Sequence, residues 1–201
     1  MTNRDKILLI SKDLGLSHIG SCLSVLPMLE EIYALKKPGD KVILDGAHAH
    51  LAHLVVKTSI NSANYEHVTE AQEIEAIKQS ITKHGIHCER EAGCDVSGGS
   101  LGHGLGIGIG MALANPDKNI FVVLTDGSLG EGSVWEALRV REELIFENLI
   151  VYVNMNGSTA LHEINKEWLI ERLGAFTGNI SIWKTTNGEG FEGVQGHYKT
   201  I

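Results

Sequence analysis

Two polar segments follow two continuous apolar runs, and their residue types suit the binding of a divalent cation. Asp126 and Gly127 come directly after the apolar run 120–124, and Asn156 follows the apolar run 149–153. If these runs are neighbouring parallel strands, their carboxyl ends meet at the edge of the sheet where ligands bind in such folds. Carboxylate, amide and backbone carbonyl oxygens are hard ligands, so the pattern favours Mg²⁺ or Ca²⁺ bound together with a phosphate group.

A simpler interpretation of the same residues stays open. Asp-Gly and Asn-Gly are dipeptides typical of the turn that follows a strand, so their spacing alone does not separate a turn from a metal site. Other phosphate motifs are excluded. The sequence has no G-x-x-x-x-G-K-[ST] segment, and the glycines of run 102–110 recur at every second position, which does not fit the G-x-G-x-x-G dinucleotide fingerprint.

Length and composition narrow the class of protein. The chain has 201 residues and a formal net charge of −8, which predict one domain over residues 1–201 and argue against nucleic-acid binding, because a phosphate backbone needs a basic surface. No apolar run is long enough to span a bilayer, and the first residues lack a signal-peptide pattern. Three cysteines do not make a disulfide framework, so we expect a cytoplasmic protein that does not bind membranes.

The elements that must position these residues alternate along the chain. Helices are predicted at 3–14, 24–36, 46–57, 69–84 and 133–146, strands at 41–44, 120–124, 149–153 and 179–184, and loops at 16–22 and 85–100. Strands that are apolar throughout and separated by helices predict an α/β fold, a parallel sheet with helices on both faces. We interpret the uncharged glycine-rich run 102–110 as a buried helix that packs closely on the sheet or on another subunit, with a weak strand as the alternative.

Several motifs in the same order make residues 8–160 similar to the thiamine diphosphate-binding N-terminal domain of transketolases. Segment 125–132 (TDGSLGEG) resembles the family's G-D-G-x-x-x-E-G, with Thr125 in place of the first glycine and Asn156 at the family's later Asn position. Segment 97–105 (SGGSLGHGL) resembles S-T-G-S-L-G-x-G-L. Three histidine segments also match, the last less closely: 16–20 (LSHIG), 44–49 (LDGAHA) and 85–89 (GIHCE).

The resemblance implies a cation and phosphate site. Asp126, Asn156 and the Ser158 carbonyl would bind Mg²⁺ (or Ca²⁺) on the diphosphate of thiamine diphosphate, and the Gly127 amide would contact a phosphate oxygen. Asn154 would lie near the cofactor at a position where relatives usually carry Asp, so a negative charge is missing there.

The resemblance also assigns residues around the cofactor rings and at a subunit interface. Gly99 would accept from the exocyclic amine of the aminopyrimidine, and Leu101 would lie against the rings. Glu131 and Glu136 match carboxylates that the family uses to communicate protons between cofactor sites. Ser133 and Glu136 also form an S-x-x-E capping box, which needs no catalytic role.

The resemblance implies that three histidines contact the substrate. His18, His48 and His87 would line the channel to the reactive carbon of the thiazolium ring, where imidazoles can donate to sugar hydroxyls and move protons. No family motif covers His50 and His53, so we assign them to a helix surface or to the core. A zinc site at His84, His87, Cys88 and Cys94 is disfavoured, because these residues do not repeat a C-x-x-C pair.

The resemblance implies an incomplete enzyme. Thiamine chemistry requires a glutamate at the pyrimidine ring, which the family carries on a second domain. We therefore expect one subunit of a split transketolase-like enzyme that transfers two-carbon ketol units between sugars or sugar phosphates. A partner subunit with the pyrimidine-binding domain would contact the glycine-rich run and the 126–145 helix in a 2+2 heterotetramer. The alternatives are a component of another thiamine-dependent synthase, decarboxylase or dehydrogenase, or a non-catalytic cofactor-binding subunit.

Overall fold

The computed structural model describes residues 1–62, 67–159, 164–176, 180–193 and 199–201. One parallel sheet has the strand order β1-β2-β3-β4. Its strands are β1 (Lys41–Leu44), β2 (Ile120–Thr125), β3 (Leu149–Met155) and β4 (Ile180–Lys184). The described helices are α1 (Asn3–Leu14), α2 (Ile19–Leu35), α3 (His50–Ser62), α4 (Glu70–His84), α5 (Gly104–Ala114), α6 (Gly132–Leu144) and α7 (Lys166–Leu173). The predicted α/β fold with a parallel sheet is confirmed.

Both faces of the sheet are covered, which explains why its strands are apolar throughout. Successive strand residues point to opposite faces: Phe121 and Val123 pack with helices α1 to α4, whereas Val122 and Leu124 pack with α5, α6 and α7. Each face buries a hydrophobic cluster, so neither can be polar. The carboxyl ends of the strands are therefore the part of the sheet where polar side chains gather.

The start of α2 differs from the prediction. The helix begins at Ile19 rather than near Ser24, so residues 19–22, predicted as loop, are helical and Pro27 lies well inside the helix. The Ser24 hydroxyl does not cap a helix; it donates to the Ser21 carbonyl and accepts from the side-chain amides of Asn154, near the end of β3, and Asn156, just after it. Contacts between distant elements, which local patterns do not show, decide this boundary.

Other helix ends were predicted with mixed success. Helix α4 ends at His84, as predicted, and Gly85 is its C-cap. Thr2 caps α1 through a capping box with Asp5. The capping box predicted at Ser133 is wrong: Glu131 is the N-cap of α6, and the Ser133 hydroxyl donates to the Gly102 carbonyl.

Further differences concern the middle and the end of the chain. The predicted helix 46–57 is a 3₁₀ turn, Ala47–Ala49, followed by the longer α3. Helix α7 was not predicted, and the first residue of the predicted strand 179–184 lies outside the described residues. In the described part of the chain, no helix has both the length and the hydropathy that crossing a membrane requires.

Candidate active site

The ends of β2 and β3 are joined by the side chain of Asp126. The register pairs Thr125 with Asn154, so the residues after each strand lie side by side. Asp126 is fully buried. One of its carboxylate oxygens accepts from the Asn156 backbone N–H (3.3 Å) and the other from the Gly157 N–H (2.5 Å). The structure thus brings together the two segments that the sequence spacing singled out.

The oxygen atoms at this edge suit a hard divalent cation. Each carboxylate oxygen of Asp126 accepts one of these backbone hydrogen bonds, and Asn156 Oδ1 accepts from the Ser158 N–H at 2.9 Å, which leaves lone pairs available on all three atoms. Burial raises the pKa of Asp126, and hydrogen bonds from Gly157 and Asn156 partly offset this rise. A bound cation would favour the ionised carboxylate. The residues present therefore fit Mg²⁺, the ion expected from the sequence.

A second polar network connects Asn154 and Asn156 with helix α2 and with the residue after β4. The side-chain amides of Asn154 and Asn156 both donate to Ser24 Oγ, at 3.0 and 3.2 Å. The Thr185 hydroxyl donates to Asn154 Oδ1 at 2.5 Å. Asn154 is thus held between α2 and the residue after β4, and it does not line the main cavity. Sequence reasoning missed both Ser24 and Thr185, because their partners are far away in the chain.

A cavity of about 190 Å³ opens beside these strand ends. Six separate stretches of the chain contribute its lining residues: His18, Ser21, His48, His87, Gly99, Leu101, Thr125, Gly127, Asn156, Ser158 and Thr159. All three predicted histidines and the predicted cofactor contacts Gly99, Leu101 and Gly127 share this space. Glu131 does not; it is exposed at the start of α6.

Two imidazole rings lie together in the cavity. The centroids of His18 and His48 are 5.0 Å apart and the rings are tilted by 41°. His18 Nδ1 lies 2.9 Å from the Ser17 hydroxyl, and the residue has a left-handed backbone, with φ of 63°. Such a backbone is unfavourable for a residue with a side chain and is found disproportionately at functional sites. The pair can hydrogen-bond a hydroxylated substrate and carry a proton.

Gly127 lies against Leu101 in the lining of the cavity. A Cβ added to Gly127 would lie 2.9 Å from Leu101 Cδ1, so the Leu101 side chain would have to shift to make room for it. The glycine thus lets Leu101 pack directly on the turn after β2.

Thr125, which stands in place of the first glycine of the family motif, has a structural role. Thr125 Oγ1 accepts from the Ser128 N–H at 3.2 Å, and Ser128 Oγ accepts from the Thr125 N–H at 3.0 Å. Its methyl group lies against Gly46, where an added Cβ would come within 2.9 Å. The reciprocal hydrogen bonds hold the turn in which Asp126 and Gly127 lie.

Asp45, which sequence reasoning missed, anchors the loop before α5 and the first residue of that helix to the end of β1. Its buried carboxylate accepts from the Gly102 N–H at 2.8 Å and from the Gly104 N–H at 2.6 Å. A carboxylate directly after a buried strand is the sequence signal that could have identified it. This contact holds Gly99 and Leu101 against the cavity and satisfies N–H groups at the start of α5.

The fold and the comparisons together give the class of protein: this parallel sheet, with a polar, histidine-lined cavity beyond β2 and β3, is the α/β thiamine diphosphate-binding fold of the transketolase family. The fold is similar to that of a solved transketolase from Leishmania mexicana, with a TM-score of 0.68 and 20% sequence identity, over 92% of this chain and 36% of that one. Residues 3–167 match the N-terminal family model described as 1-deoxy-D-xylulose-5-phosphate synthase. The chain belongs to this family, whose N-terminal domain transketolases share.

Curated relatives include whole transketolases and single subunits of split ones. The chain is 28% identical over 159 residues to the 6-deoxy-6-sulfo-D-fructose transketolase subunit SqwG of Clostridium sp. (strain MSTE9), covering 71% of this chain and 56% of that one. It is 28% identical over 117 residues to an apulose-4-phosphate transketolase subunit from Phocaeicola vulgatus, covering 54% and 41%. It is 36% identical over 94 residues to human transketolase, covering 44% and 15%. The chain therefore spans little more than half of these relatives at most.

Proposed function

We propose that this chain is the thiamine diphosphate-binding subunit of a split transketolase-like enzyme that transfers two-carbon ketol units between sugars or sugar phosphates. The observation that carries the proposal is one cavity shared by three imidazoles and by the residues after β2 and β3. Sugar hydroxyls need several hydrogen-bonding groups around the reacting carbon, and His18, His48 and His87 supply them.

The residues that would hold the diphosphate of the cofactor come from the segments that follow β2 and β3. Gly127, Asn156 and Ser158 line the cavity, and Asp126 is buried next to them. Asp126, Asn156 and the Ser158 carbonyl would bind Mg²⁺ or Ca²⁺, and the Gly127 N–H would donate to the diphosphate. Thiamine diphosphate, when bound, supplies the stabilisation of a carbanion, and the protein supplies orientation and electrostatics.

Other residues would orient the substrate and the rings. The Gly99 carbonyl would accept from the aminopyrimidine, and Leu101 would exclude water from one side of the rings. His18 and His48 would bind the sugar hydroxyls and hold or move the proton at the hydroxyl oxygen next to the bond that breaks. His87 would contact the distal part of the sugar or its phosphate.

An exposed apolar surface supports a partner subunit. Ile107 and Leu113 on α5 are 38% and 60% exposed, and Leu144 and Ile145 at the end of α6 are 51% and 81% exposed. Gly106 also faces open space on α5. A partner with the pyrimidine-binding domain would cover this surface in a 2+2 heterotetramer, and Glu131 at the start of α6 would lie at the same interface.

Three further observations support the partner and the location. The two bacterial relatives are themselves described as transketolase subunits. The cavity, at about 190 Å³, is smaller than the roughly 300–1,000 Å³ of a typical ligand pocket, which fits a site completed by another chain. Cys22, Cys88 and Cys94 are free thiols, which supports a reducing cytoplasm.

The test is ketol transfer by the chain purified together with its partner. Transfer from a ketose to an aldose should require both chains, thiamine diphosphate and Mg²⁺, and the complex should have the mass of two copies of each chain. Transfer that proceeds without the cofactor, or with this chain omitted, would overturn the proposal. Asp126→Ala should abolish cofactor binding by calorimetry; equal weak heat from wild type and variant would favour a non-catalytic subunit.

A second candidate reaction follows from the description of the matching family model. A synthase of that kind would use an α-keto acid as donor and release carbon dioxide. A screen of ketoses and α-keto acids with the same purified complex distinguishes the two reactions. Carbon dioxide release with an α-keto acid, and no turnover with ketoses, would replace the transketolase assignment with a synthase.

A further inference from the structure

A cluster of metal-ligating side chains lies outside the cavity. His50 and His53 on α3 meet Cys88 and Cys94 from the loop between α4 and α5. One ligand atom from each residue lies within 4.8 Å of the other three. The four residues are buried, with exposed fractions of 0, 2, 3 and 7% in the order given. Two thiols and two imidazoles at such a spacing are the ligands that tetrahedral zinc sites use.

The distances within the cluster match one ion at its centre. Cys94 Sγ lies 3.3 Å from His50 Nδ1 and 3.6 Å from His53 Nδ1. Zn–S and Zn–N bonds of about 2.3 and 2.0–2.1 Å at a tetrahedral angle place neighbouring sulfur and nitrogen ligands about 3.5 Å apart. An iron–sulfur cluster with two iron atoms would hold its protein ligands further apart, so the spacing favours a single ion.

Hydrogen bonding alone leaves the cluster incompletely satisfied. A thiol has one proton, so Cys94 can donate to only one of the two Nδ1 atoms. A cation that accepts a lone pair from each Nδ1 and from both sulfurs would satisfy these four ligand atoms at once.

Tyr33 supports a ligand role for His53. Its hydroxyl lies 2.6 Å from His53 Nε2, which fixes the ring with Nδ1 directed at the cysteines. Metal-binding histidines usually have such a partner on their second nitrogen, which orients the ring.

We propose that His50, His53, Cys88 and Cys94 form a structural Zn²⁺ site that fastens the loop 85–100 to helix α3. Four protein ligands close the coordination sphere and leave no position for substrate, which distinguishes a structural from a catalytic site. Sequence reasoning considered a different set, His84 and His87 with the same cysteines; His87 lines the main cavity instead. In the folded chain the two histidines near these cysteines are His50 and His53, which are three positions apart on α3.

The proposed ion would also fix two cavity residues. His48 precedes His50 by two positions and His87 directly precedes Cys88, so a common anchor sets the distance between the two elements that carry them. The site itself does not depend on the reaction proposed above, and its test does not use activity.

The test is the metal content of the full chain, produced without a histidine tag in zinc-supplemented cells and purified without chelators. We expect about one Zn²⁺ per chain by mass spectrometry of the elements, and a tetrahedral cobalt spectrum with thiolate charge-transfer bands after exchange into Co²⁺. Cys88→Ser and Cys94→Ser should each lower the metal content about tenfold or more, whereas Cys22→Ala, at a buried cysteine outside the cluster, should keep it. Tyr33→Phe should weaken zinc affinity about 10–100-fold.

Wild-type measurements keep the proposal testable if the cysteine variants fail to fold. Removal of the metal by a chelator should lower the melting temperature, and Zn²⁺ added back under reducing conditions should restore it. Wild-type protein that contains no metal and gives no tetrahedral cobalt spectrum would overturn the proposal. A Cys88–Cys94 disulfide, or the absorption of an iron–sulfur cluster, in the freshly purified protein would overturn it as well.

Discussion

The carboxylate of Asp45 accepts a hydrogen bond from the backbone N–H of Gly104, with 2.6 Å between oxygen and nitrogen, and the two residues are 59 positions apart in the sequence. The same carboxylate accepts from Gly102, where an added Cβ would lie 2.6 Å from Ser133 Oγ. The loop that carries Gly99 and Leu101 is thereby held between the end of β1 and the start of α6. One side chain couples strand, loop and helix at the wall of the cavity.

Replacing Asp45 should loosen this wall. Asp45→Ala leaves two buried N–H groups without an acceptor, so we expect a loss of about 1–3 kcal/mol in the free energy of unfolding and weaker thiamine diphosphate binding. Urea unfolding and calorimetry measure the two effects. Asp117→Ala is the matched control, because Asp117 is 74% exposed and pairs only with its neighbour Lys118. Equal stability of the two variants would contradict the anchoring role.

Position 154 should not tolerate aspartate. The Asn154 amide donates to Ser24 Oγ and accepts from Thr185, and a carboxylate cannot donate. We expect Asn154→Asp to lower the free energy of unfolding by about 1–3 kcal/mol near neutral pH. Asn165→Asp is the control and should be nearly neutral, because Asn165 caps α7 with its side-chain oxygen, which Asp also provides. A stabilised Asn154→Asp variant would show that this amide network is not needed.

Two glycines of α5 should respond to alanine with opposite signs. A Cβ on Gly108 would lie 2.5 Å from Val122 Cγ2, whereas a Cβ on Gly106 would meet nothing within 4 Å. Gly108→Ala should therefore cost about 1–3 kcal/mol of stability through overpacking, and Gly106→Ala should gain about 0.5–1 kcal/mol. Denaturant unfolding of the chain alone decides the signs. A loss of partner binding in Gly106→Ala would further support α5 as the interface.

Asp40 should contribute a pH-dependent part of the stability. Burial raises the pKa of Asp40, but hydrogen bonds from the Lys37 and Asn119 N–H groups, at 2.8 and 2.9 Å, outweigh it, so the folded pKa is lower than the ordinary 3.8. A lowered folded pKa gives stability that is present above the unfolded value and is lost as pH falls through the folded value.

The difference in unfolding free energy between wild type and Asp40→Asn isolates this contribution. It should be about 1–3 kcal/mol near neutral pH and should shrink below about pH 4. Unfolding curves over a series of pH values measure it. A difference that is constant with pH would mean that the Asp40 carboxylate contributes through its shape and not through its charge.

His48 should matter for turnover and not for cofactor affinity. Because its ring lies beside His18 and the proposal assigns it to the sugar hydroxyls, His48→Gln should lower kcat about 10²–10⁴-fold in the complete enzyme. The Kd for thiamine diphosphate should stay nearly unchanged. His84→Gln, in the last turn of α4, is the control. A change of the Kd comparable to the change in kcat would place His48 at the cofactor rather than at the sugar.

Local patterns were sufficient for the four strands, for most of the helices and for the edge of the sheet that carries the site. Runs such as 120–124 and 149–153 are apolar at every position because both faces of a parallel sheet are covered. The polar residues that follow them, Asp126 and Asn156, therefore had to meet. Family motifs added His18 and His48 to the same region, and the structure places both in one cavity with Asn156.

Tertiary structure alone decided the contacts between distant segments. Nothing in the local sequence pairs Asp45 with Gly104, Ser24 with Asn154, or His50 with Cys94, because these partners are 44 to 130 positions apart and meet only when the helices dock on the sheet. Local periodicity reports which face of an element is buried, whereas the identity of the neighbour depends on how the elements pack. For that reason the sequence determined the sheet and its polar edge, and the fold decided the loop anchors and the buried histidine–cysteine cluster.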